Sequence, residues 1–288
     1  MSHVFKTLYQ HGSRPRHIWV ICPFAGGSLS AFKSWMLLDQ KILPEESLIL
    51  LATYPGRDHR MRECPLASIA ELANEMTDAL MTWLTQTPLS IDARIQLCGH
   101  SMGAQVAYEV CQRFETYYGA QNPIQTLIIS GCHAPHIESR RKLSHLNNDD
   151  FIDELIAIGS GSPVLKQHPE LLPMFMPMLR ADFLATENYY YPVRPSEGRL
   201  KHTSCVLVYG ESDPEAWKSE VMAWHTWLTP QHSEIRTISI SGDHFYITAN
   251  PELFLKRINE QINKKIQTPI STFAIKPCIT NVSGDHHG

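Results

Sequence analysis

The segment Gly99-His100-Ser101-Met102-Gly103 places a serine between two glycines, just after the short apolar run Ile95-Gln96-Leu97-Cys98. The stretch that follows, Ala104 to Tyr117, has helical character. A G-x-S-x-G pentapeptide between a strand and a helix is the nucleophile elbow. Its turn is so tight that the flanking positions must be small. The serine hydroxyl is thereby held out at the end of the strand, near the positive end of the next helix. The chemistry this predicts is acyl transfer through Ser101.

A serine hydroxyl needs a base, and the base needs an orienting acid. Around such an elbow they follow in the order serine, acid, histidine. The apolar run Cys205-Val206-Leu207-Val208-Tyr209-Gly210 leads into Glu211-Ser212-Asp213-Pro214. Asp213 is the acid chosen and Glu211 its rival. The run ending at Ile240 leads into Ser241-Gly242-Asp243-His244-Phe245, which puts His244 on a loop at the same sheet edge. Asp243 reads as a loop-solvating neighbour. His225 falls in a helical stretch, and His100 lies inside the elbow. Cys132, His133 and His136 lack a fourth ligand and a helical context, so no metal site is expected.

The oxyanion of a tetrahedral intermediate requires donors. The backbone N–H of Met102 is one. The second is expected from the glycine loop Phe24-Ala25-Gly26-Gly27, where Ala25 is chosen ahead of Phe24. A simple glycine turn after a strand is the bland alternative.

Several elements must position these groups. His17 to Phe24, Ser47 to Thr53, Arg94 to Cys98, Thr126 to Ser130, Cys205 to Tyr209 and Ile235 to Ile240 read as buried strands. Helices are expected over Ile69 to Leu84, after Ser101, and from about Pro251 to Lys265. Apolar strands alternating with helices indicate an α/β fold with a mostly parallel central sheet flanked by helices. The elbow, with its acid and histidine in that order, makes it resemble the α/β-hydrolase fold. Between Ser139 and Pro195 no strand is evident. The stretch Leu171 to Leu179 has more apolar residues than one helix face can hold. It reads either as a packed helical hairpin or as a lid over an apolar acyl tunnel, with Phe24, Met174, Phe175 and Met178 as candidate lining. The domain is therefore drawn as 1–265, with a lid insertion over about 139–195 and an irregular tail from 266 to 288.

Composition narrows the function classes. An apolar fraction of 43% over 288 residues is enough for a sizeable core. A net charge of −4 with no long run of like charge argues against nucleic-acid binding. Seven scattered cysteines without paired spacing suit reduced thiols in the cytoplasm. The first residues have no signal-peptide core, and no stretch is long enough to span a membrane. A monomer is the simplest expectation.

Taken together, the motifs resemble the type II thioesterases that accompany nonribosomal peptide and polyketide synthases. The likeness covers the chain to about residue 265. It is carried by Cys22-Pro23-Phe24-Ala25-Gly26-Gly27-Ser28, Phe32, Trp35, Tyr54-Pro55-Gly56-Arg57, the elbow, Leu179-Arg180-Ala181-Asp182, Gly210 to Asp213 and Gly242 to Phe245. The wording Phe-Ala-Gly-Gly and Tyr-Pro-Gly-Arg-Asp-His-Arg looks closest to siderophore-pathway members. The resemblance implies a triad of Ser101, Asp213 and His244. It also implies hydrolysis of acyl thioesters from the phosphopantetheine arm of acyl or peptidyl carrier proteins, with no cofactor beyond the one the substrate carries. By the same likeness, Arg57 braces the site or its entrance, or forms a buried ion pair with Asp182. Arg140-Arg141-Lys142 is a candidate docking patch for an acidic carrier, or simply a solvated face. A general carboxylesterase, an acyl-coenzyme A thioesterase and an acyltransferase would share the triad, and a non-catalytic binding module would share only the fold.

Overall fold

The computed structural model describes residues 3–159, 166–193, 200–228 and 235–263. Seven strands form one sheet: β1 (Phe5–Gln10), β2 (His17–Cys22), β3 (Ser47–Ala52), β4 (Arg94–His100), β5 (Ile124–Ser130), β6 (Ser204–Gly210) and β7 (Ile235–Ile240). Their order is β1-β3-β2-β4-β5-β6-β7. Every pairing is parallel except β1 with β3. The main helices are α1 (Ile69–Gln86), α2 (Met102–Tyr118), α3 (Asn148–Ile158), α4 (Leu172–Glu187) and α5 (Pro251–Asn263).

The apolar runs of the central strands follow from burial on both faces. In β2, Ile18, Val20 and Cys22 join the core layer that includes α1 and α2, whereas Trp19 and Ile21 join the opposite layer with Trp35 and Phe254. A strand packed on both sides has no polar face, so it reads as a continuous apolar run. Strand β1 lies outside the apolar runs of the sequence. It is an antiparallel edge strand whose pairing slips between Thr7 and Tyr9, and most of its side chains reach solvent. Backbone bonds to β3 hold it in place, so its sequence carries little apolar signal.

A third cluster lies over the sheet's carboxyl edge and joins α3 to α4 through Phe151, Ile152, Leu155, Met176, Met178 and Leu179. Helix α3 starts at Asn147, whose side chain accepts the Asp150 N–H at 3.0 Å, and ends at Gly159 with φ 90°. The rings of Phe151 and Phe183 meet edge to face at 5.5 Å. The helical insertion is thus a packed pair of helices. Residues 160–165 and 194–199 of this region, and the expected tail 266–288, lie outside the described residues.

Candidate active site

In a parallel sheet the loops after the strand ends gather at one edge. Here β2, β4, β6 and β7 deliver Ala25, Ser101, Asp213 and His244 to that edge. Ser101 caps α2 with φ 53° and ψ −124°, a backbone that non-glycine residues rarely adopt. Its N–H donates to the Ser130 carbonyl at 2.9 Å, and its own carbonyl accepts from the Ala104 N–H at 2.9 Å. A Cβ on Gly99 would stand 2.0 Å from the Gly103 carbonyl oxygen, and one on Gly103 would stand 2.0 Å from that of Cys22. Both glycines of the elbow are sterically required. The second contact also shows that the end of β2 abuts the start of α2.

The loops carrying the acid and the base are tied to each other. Glu211 N–H donates to Ile240 at 2.9 Å and Ser212 N–H donates to Gly242 at 3.0 Å. Asp213 and His244 are both almost fully buried. The Asp213 carboxylate accepts from His244 Nδ1 at 2.9 Å through Oδ2 and at 3.1 Å through Oδ1. Oδ1 also accepts the backbone N–H groups of Glu215 and Ala216 at 2.8 and 3.1 Å. Burial pushes this carboxyl up. The hydrogen bond and charge of His244, with the two amides, outweigh that effect and hold it below the usual range. Because the carboxylate only accepts, His244 carries its proton on Nδ1 and leaves Nε2 as a base.

The segment after His244 is also pinned. Trp35 Nε1 donates to the Ile247 carbonyl at 2.9 Å and Ser34 Oγ to that of Thr248 at 2.9 Å. Glu211, the rival acid, accepts from Ser239 Oγ at 2.9 Å in an exposed position. Asp243 accepts the Phe245 N–H at 2.9 Å, as a loop-solvating neighbour would.

His100 lies beneath this pair. Its ring centroid is 4.9 Å from that of His244. Nδ1 bonds Ser130 Oγ at 2.9 Å, and Ser130 Oγ bonds the Tyr246 hydroxyl at 2.7 Å. The Tyr246 hydroxyl donates to the Val208 carbonyl at 3.1 Å. That uses the tyrosine's single proton, so Ser130 donates to Tyr246 and His100 donates from Nδ1 to Ser130. Complete burial, reinforced by the nearby His244, lowers the His100 pKa to about 3 and keeps the ring neutral. A Cβ on Gly131 would come within 2.6 Å of this ring, so that glycine makes room for it.

In the glycine loop, Gly27 N–H donates to the Phe24 carbonyl at 2.8 Å and Gly26 N–H donates to Asp182 Oδ2 at 2.7 Å. Those two amides are engaged, which leaves Phe24 and Ala25. A trans peptide points its N–H opposite to its C=O. Since the Phe24 carbonyl is held by Gly27, the Ala25 N–H faces the other way. Met102 is the first residue of α2, so its N–H has no partner within the helix.

Ser101, His244, Phe24 and Ala25 line one cavity together with Ile158, Phe183, Thr186 and Phe245. The expected methionine lining is corrected here. Met174 is half exposed, Phe175 packs against the third cluster, and Met178 is buried beside Gly56. None of them lines this cavity, which α4 meets further along its length, at Phe183, Thr186 and Glu187. Phe183 and Thr186, one to two turns later, line it instead. The wall is also more polar than expected. Gln105 accepts from Thr186 Oγ1 at 2.8 Å, and Glu187 accepts the Leu143 and Ser144 amides at 2.6 and 3.0 Å.

The basic trio is not a free patch. Arg140 pairs with Glu220, Arg141 with Glu154 and Glu215, and Lys142 with Glu138. Cys132, His133 and His136 gather no metal-binding set among the described residues. His133 Nδ1 lies 3.3 Å from the Ala134 carbonyl, and His136 takes the Trp227 indole N–H at 2.8 Å. The described residues with metal-like spacing are His3, Glu63 and Glu75, but both carboxylates bind Arg60. Arg57 and Asp182 do form the buried pair, at 2.6 Å.

Comparison with known proteins gives a consistent picture. A family model described as the thioesterase domain matches residues 17–262. The probable anguibactin biosynthesis thioesterase AngT of Vibrio anguillarum is 38% identical over 240 residues, covering 83% of this chain and 89% of that protein. The solved structure of YbtT, the type II thioesterase of the yersiniabactin NRPS/PKS biosynthetic pathway, is 39% identical. It superposes with a TM-score of 0.80 over 91% of this chain and 98% of that one. The RedJ thioesterase of the prodiginine pathway in Streptomyces coelicolor is 27% identical, with a TM-score of 0.69 over 86% of each chain.

Proposed function

Since the chain belongs to the thioesterase domain family, we propose that it hydrolyses acyl groups from the phosphopantetheine arm of carrier proteins in a nonribosomal peptide or polyketide synthase. Its chemistry is the hydrolysis of thioesters. The observation that carries the mechanism is the placement of Ser101 and His244 on one cavity, with His244 held through Nδ1 by Asp213.

His244 Nε2 takes the Ser101 proton as Oγ attacks the thioester carbonyl. Negative charge develops on the carbonyl oxygen and is met by the Met102 and Ala25 amides. The C–S bond then breaks and the thiol leaves with the proton from His244. A thiol with a pKa of about 8.5 needs little acid assistance. Water activated by the same imidazole attacks the acyl-serine and releases the free acid. The enzyme needs no cofactor of its own, since the pantetheine arrives with the substrate.

Removal of aberrant or stalled acyl groups fits this chemistry, because hydrolysis returns the carrier thiol free for reloading. The names of the relatives favour a synthase of siderophore type. A cytoplasmic location is consistent with six unpaired cysteines among the described residues, five of them buried. No described helix is long and apolar enough to cross a membrane.

The test is one acyl group presented both on a holo-carrier domain and on coenzyme A. The reading expects kcat/KM at least about tenfold higher for the carrier, a difference of about 1.4 kcal/mol in transition-state stabilisation. Equal or faster turnover of the coenzyme A thioester overturns it.

A further inference from the structure

The Arg57–Asp182 pair is buried to about 2% exposure, yet none of its hydrogen bonds among the described residues goes to a triad residue. Its partners lie instead on the glycine loop. Asp182 Oδ2 accepts the Gly26 N–H at 2.7 Å, while Oδ1 accepts from Arg57 Nη2 at 2.6 Å. Arg57 Nη1 donates to the Gly27 carbonyl at 3.1 Å. Two consecutive loop residues are therefore held from outside the loop, one by its N–H and one by its C=O. The neighbouring Asp58 adds a third tie, with Oδ2 accepting the Leu29 N–H at 2.9 Å.

Asp182 stands on α4, which belongs to the insertion over the site and not to the sheet. The helix rests directly on the loop, since a Cβ on Gly26 would lie 2.8 Å from Leu179 Cδ2. Gly26 has φ 76°, so its backbone takes a turn that a side chain would disfavour. The Gly27 amide in turn fixes the Phe24 carbonyl, and the plane of that peptide aims the Ala25 N–H. A buried carboxylate left unpaired would be strongly unfavourable, so the helix, Arg57 and the loop must seat together.

We infer that Asp182 and Arg57 are positioning residues for the oxyanion loop, making the Ala25 amide competent only while α4 is seated. The inference rests on the proposed serine thioesterase mechanism and adds a coupling between the helical insertion and transition-state binding. Displacement of α4 would release Gly26 and relax the donor. Reseating would restore it before chemistry.

The experiment compares wild type with Asp182→Asn and Arg57→Lys on a soluble acyl thioester. It also measures inhibition by the matching acyl trifluoromethyl ketone and by the product acid. The ketone forms a tetrahedral adduct on Ser101 and therefore reports the oxyanion site, whereas the acid reports ground-state binding. Misplacing one donor predicts a kcat lower by about 10- to 100-fold with KM changed less than about threefold. The ketone Ki should rise by the same factor as kcat/KM falls, and the acid Ki should stay constant. A purely structural pair would lower the melting temperature without this proportionality. Either variant, folded and with kcat within about threefold of wild type, overturns the inference, as does a kcat loss that leaves the ketone Ki unchanged. Failure of wild type to hydrolyse any thioester would instead remove the thioesterase reading itself.

Discussion

Asp213 holds His244 by one edge, with both carboxylate oxygens within 3.1 Å of Nδ1. The bond fixes which nitrogen is protonated, and in the proposed mechanism the buried carboxylate would offset the charge the ring acquires on taking the serine proton. Asp213→Asn should keep the fold but admit the opposite tautomer. A loss of roughly 10⁴ in kcat is expected, as for other triads of this kind. Steady-state hydrolysis of an acyl thioester checks this, and a loss below about tenfold would contradict the assigned role.

Ser101 sits in a strained backbone with φ 53°. Ser101→Ala should abolish turnover, by roughly 10⁶ in kcat. Ser101→Gly should be equally inactive yet more stable, by about 1 kcal/mol, because glycine adopts the elbow conformation without a Cβ penalty. Chemical denaturation of both variants measures the difference. A glycine variant less stable than the alanine variant would show that the elbow stores no strain.

The elbow glycines should be intolerant of substitution. A methyl group on Gly103 would lie 2.0 Å from the Cys22 carbonyl oxygen, a backbone atom that cannot swing aside. Gly103→Ala is expected to cost about 3 kcal/mol or more, as strong overpacking does. Urea unfolding midpoints test this, and a cost below about 1 kcal/mol would mean that α2 shifts freely.

His100 makes stability depend on pH. Its folded pKa is lowered to about 3 by burial, against an unfolded value near 6.5. Below pH 6.5 the unfolded chain takes up a proton that the folded chain refuses until about pH 3. The contribution is therefore complete above pH 6.5 and is lost as pH falls, by about 1.4 kcal/mol per unit through that window. Between pH 7 and 5, wild type should lose about 2 kcal/mol more stability than His100→Gln. Parallel pH profiles for the two proteins would contradict the buried neutral ring.

Much of this arrangement is legible in the chain because its signals are local. The elbow, the acid after β6 and the histidine after β7 each follow an apolar run, and a parallel sheet brings such loops to one edge. The features that the chain does not signal locally depend on contacts between distant segments. Strand β1 is held by backbone bonds to β3 and so lacks an apolar pattern. The cavity wall comes from Phe183 and Thr186, not from the methionines, because only the tertiary seating of α4 decides which stretch of its length reaches the site. The basic trio looks open in sequence, but its acidic partners lie as far away as residue 220. His100 is legible only as a residue inside the elbow, because its partners Ser130 and Tyr246 are 30 and 146 residues away.

The central claim is that the acyl group leaves its carrier thiol for Ser101. Intact-protein and peptide mass spectrometry of the wild-type enzyme, mixed with acyl-loaded carrier domain and quenched rapidly in acid, tests it most directly. The prediction is an acyl mass on the peptide containing Ser101, absent in the Ser101→Ala variant. An acyl group on any other residue, or hydrolysis by Ser101→Ala at the wild-type rate, would contradict it.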